Sequence, residues 1–198
     1  MKHERESWLL PSYSELLADA DYFSDRITQA HDKNETAKLA RAAVIFSAAG
    51  IEALSNDALT VIEDLYSDSW PWESIQKPPY CYFRQLSERR VQRLLQRGSL
   101  QDKVEYLLNR IERDVGCYRS NNFDHRLRTL LKIRNRILHF QSLGQTRKTP
   151  SILNAKQIAQ TAQLAINTAY EFQAQIEQGF EKLNLPIQLY RPGPSKKY

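Results

Sequence analysis

Apolar residues return at three- and four-residue intervals through most of this chain, and no segment alternates at the two-residue period of a half-buried strand. Spacing of that kind lays one apolar stripe along each helix, which must be covered by another helix. It predicts an all-α fold, an antiparallel helical bundle. Six glycines in 198 residues argue against a loop-rich β protein and against a glycine loop that cradles phosphate.

The stripes and their punctuation give the predicted elements. Ser12 or Ser14 caps a first helix that runs to about residue 31, with Leu16, Leu17, Ala20, Phe23 and Ile27 on one face. Asn34 opens a long second helix over 34–66, with a stripe of Leu39, Ala42, Ala43, Phe46, Ala49, Ala53, Leu54, Val61, Ile62 and Leu65; Gly50 marks a place where it could kink. Residues 67–83 break the pattern with Trp70, Pro71, Trp72, Pro78, Pro79, Tyr80, Tyr82 and Phe83, an aromatic and proline-rich insertion loop. Such a loop covers the core or, alternatively, stacks on unpaired bases. A basic helix over 85–96 ends at Gly98. Ser99 caps the next, with Leu100, Val104, Leu107, Leu108 and Ile111 inside. Two further helices are predicted over 123–142 and 154–182, the last carrying Ile158, Ala162, Ala165, Ile166, Ala169, Phe172 and Ile176 inward. The expected organisation is one domain over 1–185 and an extended tail over 186–198, with Pro186, Pro192 and Pro194.

Charge is unevenly spread. From Arg84 to Lys148 there are 16 Lys or Arg against 6 Asp or Glu, a balance of +10 within a chain of net +5, so the remainder carries −5. A concentration of arginine favours a polyanion such as RNA, although a solvated helical surface has the same composition. The start is charged and mixed in sign, and no apolar run approaches the ~18 residues of a membrane span, so a cytoplasmic chain without membrane contact is expected. Cys81 and Cys117 form no metal or disulfide pattern, and the four histidines have no ligand spacing, so neither metal nor cofactor is called for.

Inside the basic half, the stretch from Arg126 to Phe140 sets Arg134 and Asn135 five and four positions before His139 in an apolar helix. Each polar group taken out of water costs a few kcal/mol, roughly, unless it finds a partner. Chemistry on a phosphodiester accounts for all three groups, because arginine offsets phosphate charge and histidine moves protons near neutral pH. The plainer reading is an ordinary helix with solvated arginines and a satisfied core histidine.

The run Arg134-Asn135-Arg-Ile-Leu-His139, late in an all-helical chain, resembles the signature of the HEPN domains (higher eukaryote and prokaryote nucleotide-binding). The alanine-rich stretch Ala48-Ala-Gly-Ile-Glu52-Ala-Leu-Ser-Asn56 is similar to an earlier helix of that group, and the resemblance spans about residues 35–178. It implies a HEPN-like bundle and a metal-independent endoribonuclease, often the toxin of a toxin–antitoxin or defence system. Its partners would be RNA, a second copy of the chain, and an antitoxin such as a nucleotidyltransferase. Carried over, Arg134 and His139 are the catalytic pair and Asn135 supports them, at a site shared by two subunits. Some members only bind, so a catalytically silent RNA- or protein-binding module is the alternative.

Helix geometry constrains that site. At about 100° per residue, Arg134 and His139 point about 140° apart, whereas Asn135 and Arg136 lie about 40° and 60° from His139. A site on one helix favours Asn135, Arg136 and His139; a site between two chains lets Arg134 of one approach His139 of the other. Arg136 and Arg128 are the candidate RNA-binding arginines, with Arg126 beside them. Glu52 and Asn56, one turn apart, are candidate supporting residues that line the cleft or simply face solvent.

Overall fold

Side-chain caps set where three of these helices begin, and one left-handed glycine sets where one of them ends. A computed structural model describes residues 12–64, 88–116, 120, 122–139 and 155–183. Among them are six helices and no strand: α1 Tyr13–Ile27, α2 Lys33–Asp64, α3 Glu88–Arg97, α4 Leu100–Val115, α5 Phe123–His139 and α6 Ala155–Lys182. The fold is an all-α helical bundle. The aromatic loop over 67–83, residues 140–154, the tail, Cys81 and Cys117 lie outside the described residues.

Ser12 and Glu15 form a reciprocal capping box: the Ser12 hydroxyl accepts from the Glu15 amide at 3.3 Å, and the Ser12 amide donates to the Glu15 carboxylate at 2.7 Å. Ser99 and Asp102 repeat the device on α4. At the far end of α4, Gly116 closes the helix at φ 65°, where a side chain would be strained. The second helix departs from expectation. Its cap is Asp32, whose carboxylate accepts from the amides of Asn34 and Glu35 at 2.6 and 2.8 Å, so Asn34 lies inside the first turn. The first helix ends at Ile27, four residues short of the expected limit, because the chain turns through Thr28 to Asp32.

α2 runs through Gly50 as one 32-residue helix. The glycine serves packing: a Cβ there would stand 2.7 Å from Leu17 Cδ2 of α1, so its absence lets the two helices approach closely. Alanine continues that close contact where Ala20, Ala40, Ala43, Ala162 and Ile166 of α1, α2 and α6 bury one another. The larger core lies around the other part of α2. Ile51, Leu54, Leu59 and Ile62 pack there with Val91 of α3, Leu107 and Ile111 of α4, Leu127 and Leu130 of α5, and Phe172, Ile176 and Phe180 of α6. Phe123 stacks on Phe172 with ring centres 6.4 Å apart. Each such side chain contributes about 1.5–3 kcal/mol by leaving water. α2 contacts every other described helix, and the rest of the bundle is arranged around it.

The buried face of α2 is offset from the expected stripe. Ala43, Leu54 and Ile62 are buried as expected, but so are Ala40, Val44, Ser47, Ala48, Ile51, Ser55, Ala58 and Leu59, while Leu39, Ala42, Phe46, Ala49, Ala53 and Val61 are only partly so; Leu65 lies outside the described residues. Ser47 and Ser55 fit because each hydroxyl donates to the carbonyl one turn earlier, at 2.8 and 2.7 Å. The stripes expected for α4 and α6 are buried as read, apart from Ile158, whose side chain lies outside the described residues. Across the outer surface, the Tyr170 hydroxyl of α6 donates to Asp21 of α1. Loss of solvent, then the Asp21 carboxylate, push that phenol up to about 12.

Candidate functional site

Arg134 sits in the last half of α5, between Ile133 and Ile137, which pack on the large core, and the polar residues Asn135 and Arg136, which are exposed. That register leaves its guanidinium half-buried and aimed at α2. There Nη2 lies 3.5 Å from Glu52 Oε2, while Nη1 donates to Asn135 Oδ1 at 3.4 Å. Side-chain exposures of 32% for Arg134 and 40% for Glu52 keep the pair within reach of solvent and of a ligand. A guanidinium has five N–H donors, and these two contacts engage two of them.

One turn along α2, Asn56 Oδ1 accepts from Lys103 Nζ at 2.8 Å. Lys103 is 5% exposed and belongs to the inner side of α4, where it follows Leu100 by three residues and precedes Leu107 by four. Glu52 and Asn56 therefore each hold a cation from a different helix, and the two contacts together join α5, α2 and α4. Of the residues singled out in the sequence, the fold brings together Arg134, Asn135 and Glu52, and sets Asn56 beside them on α2. Lys103 is the addition. Its signal in the sequence is a lysine falling in phase with the inward leucines of α4.

The other arginines divide. Arg128 pairs with Glu105 of α4 at 3.8 Å on the surface, an exposed contact worth at most about 1 kcal/mol. Arg126 is committed to structure: it pairs with Glu171 of α6 and donates to Ser120 Oγ at 3.0 Å, and Ser120 donates to the same carboxylate at 2.6 Å. Arg136 is exposed on the opposite side of the helix register from Arg134's contact with α2. His139 is the last residue of α5, and its side chain lies outside the described residues. No helix among the described residues is long and apolar enough to cross a membrane.

The arrangement places a half-exposed guanidinium, oriented by one carboxylate and one amide, on the helix that also carries His139. Chemically, the remaining guanidinium donors can meet a phosphate oxygen, in competition with the Glu52 carboxylate. Neither a family model, nor a curated protein, nor a solved structure matches this chain.

Proposed function

We propose that the chain is a metal-independent endoribonuclease of HEPN type, acting as a homodimer and serving as the toxin of a toxin–antitoxin or defence system. The observation that carries this reading is Arg134, held half-exposed by Glu52 and Asn135 on the helix that also carries His139. In this scheme Arg134 binds the scissile phosphate and offsets charge building on its oxygens. His139, with an ordinary pKa of about 6.5, takes the proton of the ribose 2′-hydroxyl or gives one to the departing 5′-oxygen. The 2′-oxygen forms a bond to phosphorus as the bond to the 5′-oxygen breaks. The products are a 2′,3′-cyclic phosphate and a 5′-hydroxyl. DNA, lacking the 2′-hydroxyl, is inert.

A second reading, a silent RNA- or protein-binding module, is favoured by the Glu52 contact, because a carboxylate on Arg134 competes with phosphate. Incubation with a structured RNA in excess EDTA separates the two. Cleavage is expected from the wild-type chain, with a loss of about a hundredfold or more in Arg134→Ala and His139→Ala. Abolition by EDTA, or an unaffected Arg134→Ala beside an inactive Arg136→Ala, overturns the scheme. Binding without cleavage selects the module.

A further inference from the structure

α3 packs on the core by one side and turns a row of arginines outward on the other. Its inner side is fixed: Val91 is fully buried, and Leu94 and Leu95 pack on the large core. Its outer side carries Arg90, Arg93 and Arg97, all exposed. At about 100° per residue, Arg97 lies about 20° from Arg90 and about 40° from Arg93, so the three share one face along about 10 Å of helix. Together with Leu94 and Gly98 they line a shallow open depression. The row borders α4, the helix that also carries Lys103. The Arg90 guanidinium lies 5.4 Å from the ring centre of Tyr106, on α4. Tyr106 is three residues from Lys103, which holds Asn56, one turn from the Glu52 that holds Arg134.

We infer that the Arg90, Arg93 and Arg97 face of α3 binds the phosphodiester backbone of single-stranded RNA. This deepens the nuclease reading and rests on it for the choice of polyanion. Charge complementarity carries the argument: planar guanidinia in a row match successive phosphates, each able to take two parallel hydrogen bonds. Leu94 gives the depression an apolar floor against which a sugar or base can lie. A membrane surface fits poorly, because the apolar side that would have to enter lipid is already in the core.

The test uses the full chain carrying His139→Ala, so that bound RNA stays intact, and a short fluorescein-labelled single-stranded RNA read by anisotropy over a salt series. Arg93→Gln with Arg97→Gln is expected to weaken binding about tenfold or more, and to flatten the dependence of log affinity on log salt by about 0.7 per arginine lost. Helical circular dichroism and the thermal midpoint should not change, since both positions are exposed. The corresponding lysine pair, which keeps the charge, should retain most of the affinity; equal loss in the lysine and glutamine pairs counts against the proposal. Unchanged affinity in the glutamine pair overturns it, as does a polyglutamate peptide binding more tightly than RNA. If the wild-type chain cleaves RNA while α3 proves dispensable for binding, the nuclease reading survives and this one fails. If RNA is bound through α3 but not cleaved, the reverse holds.

Discussion

Asn56 accepts a hydrogen bond from a lysine that is almost wholly out of water, and that makes the amide more consequential than its partly exposed position implies. Removing a partner from a buried charge costs more than the bond itself contributes, because the stranded group keeps its desolvation penalty. Asn56→Ala is expected to destabilise the chain by about 1–3 kcal/mol in urea denaturation. Adding Lys103→Met, which keeps the side chain's length without its charge, should recover most of that loss. If Asn56→Ala alone is neutral, the contact contributes nothing. Lys103 was hidden in the sequence because a lysine in phase with leucines reads equally well as a solvated side chain, its stem lying on the surface. Arg134 could be singled out in the sequence because it stands beside an amide and five residues before a histidine. Its choice of α2 over solvent was not, because Glu52 lies 82 residues away and only the tertiary fold brings it close.

At the level of single helices, the acidic caps carry a pH dependence. Hydrogen bonds from Ser12 hold the Glu15 carboxyl below its ordinary value of 4.5, and those from the Glu35 and Asn34 amides hold Asp32 below 3.8. A carboxyl lowered by folding stabilises the folded chain fully above its ordinary pKa, and that contribution is lost as pH falls through the lowered value. Wild type should therefore exceed Glu15→Gln in thermal midpoint at neutral pH, and the two should converge toward about pH 2. A difference that persists in acid would show that the charge is not responsible. The helices most legible in the sequence, α4 and α6, bury the described apolar positions read for them, with Lys103 and Arg110 of α4 and Thr168 of α6 buried among them. α2 was harder. It is covered by several neighbours, so its buried face is wide, and Ser47 and Ser55 interrupt the stripe while bonding back to their own helix. The Asp32 cap was missed for a related reason: Asp32 and Asn34 are both good caps two residues apart, and only backbone geometry chooses between them.

For the molecule as a whole, the notable asymmetry is electrical. The segment from Arg84 to Lys148 carries +10, yet part of that charge is spent on Glu52 and Glu171, which lie outside it. α3 turns Arg90, Arg93 and Arg97 of that charge outward along one face, and the polyanion test belongs there. The all-α class followed from periodicity alone. How the helices cluster depended on close approaches, such as Leu17 over Gly50, that no local pattern encodes.

α2, at 32 residues and about 48 Å, is the only described helix that meets all the others. Its central amides therefore have no private route to solvent: exposing them means prising away neighbours on several sides at once. Hydrogen–deuterium exchange should find the slowest protons of the chain near Ile51 to Leu59, with an opening free energy equal to that of complete unfolding, while α3 exchanges sooner. Faster exchange in that span than in α4 or α6 would mean that the axle turns independently of its wheel.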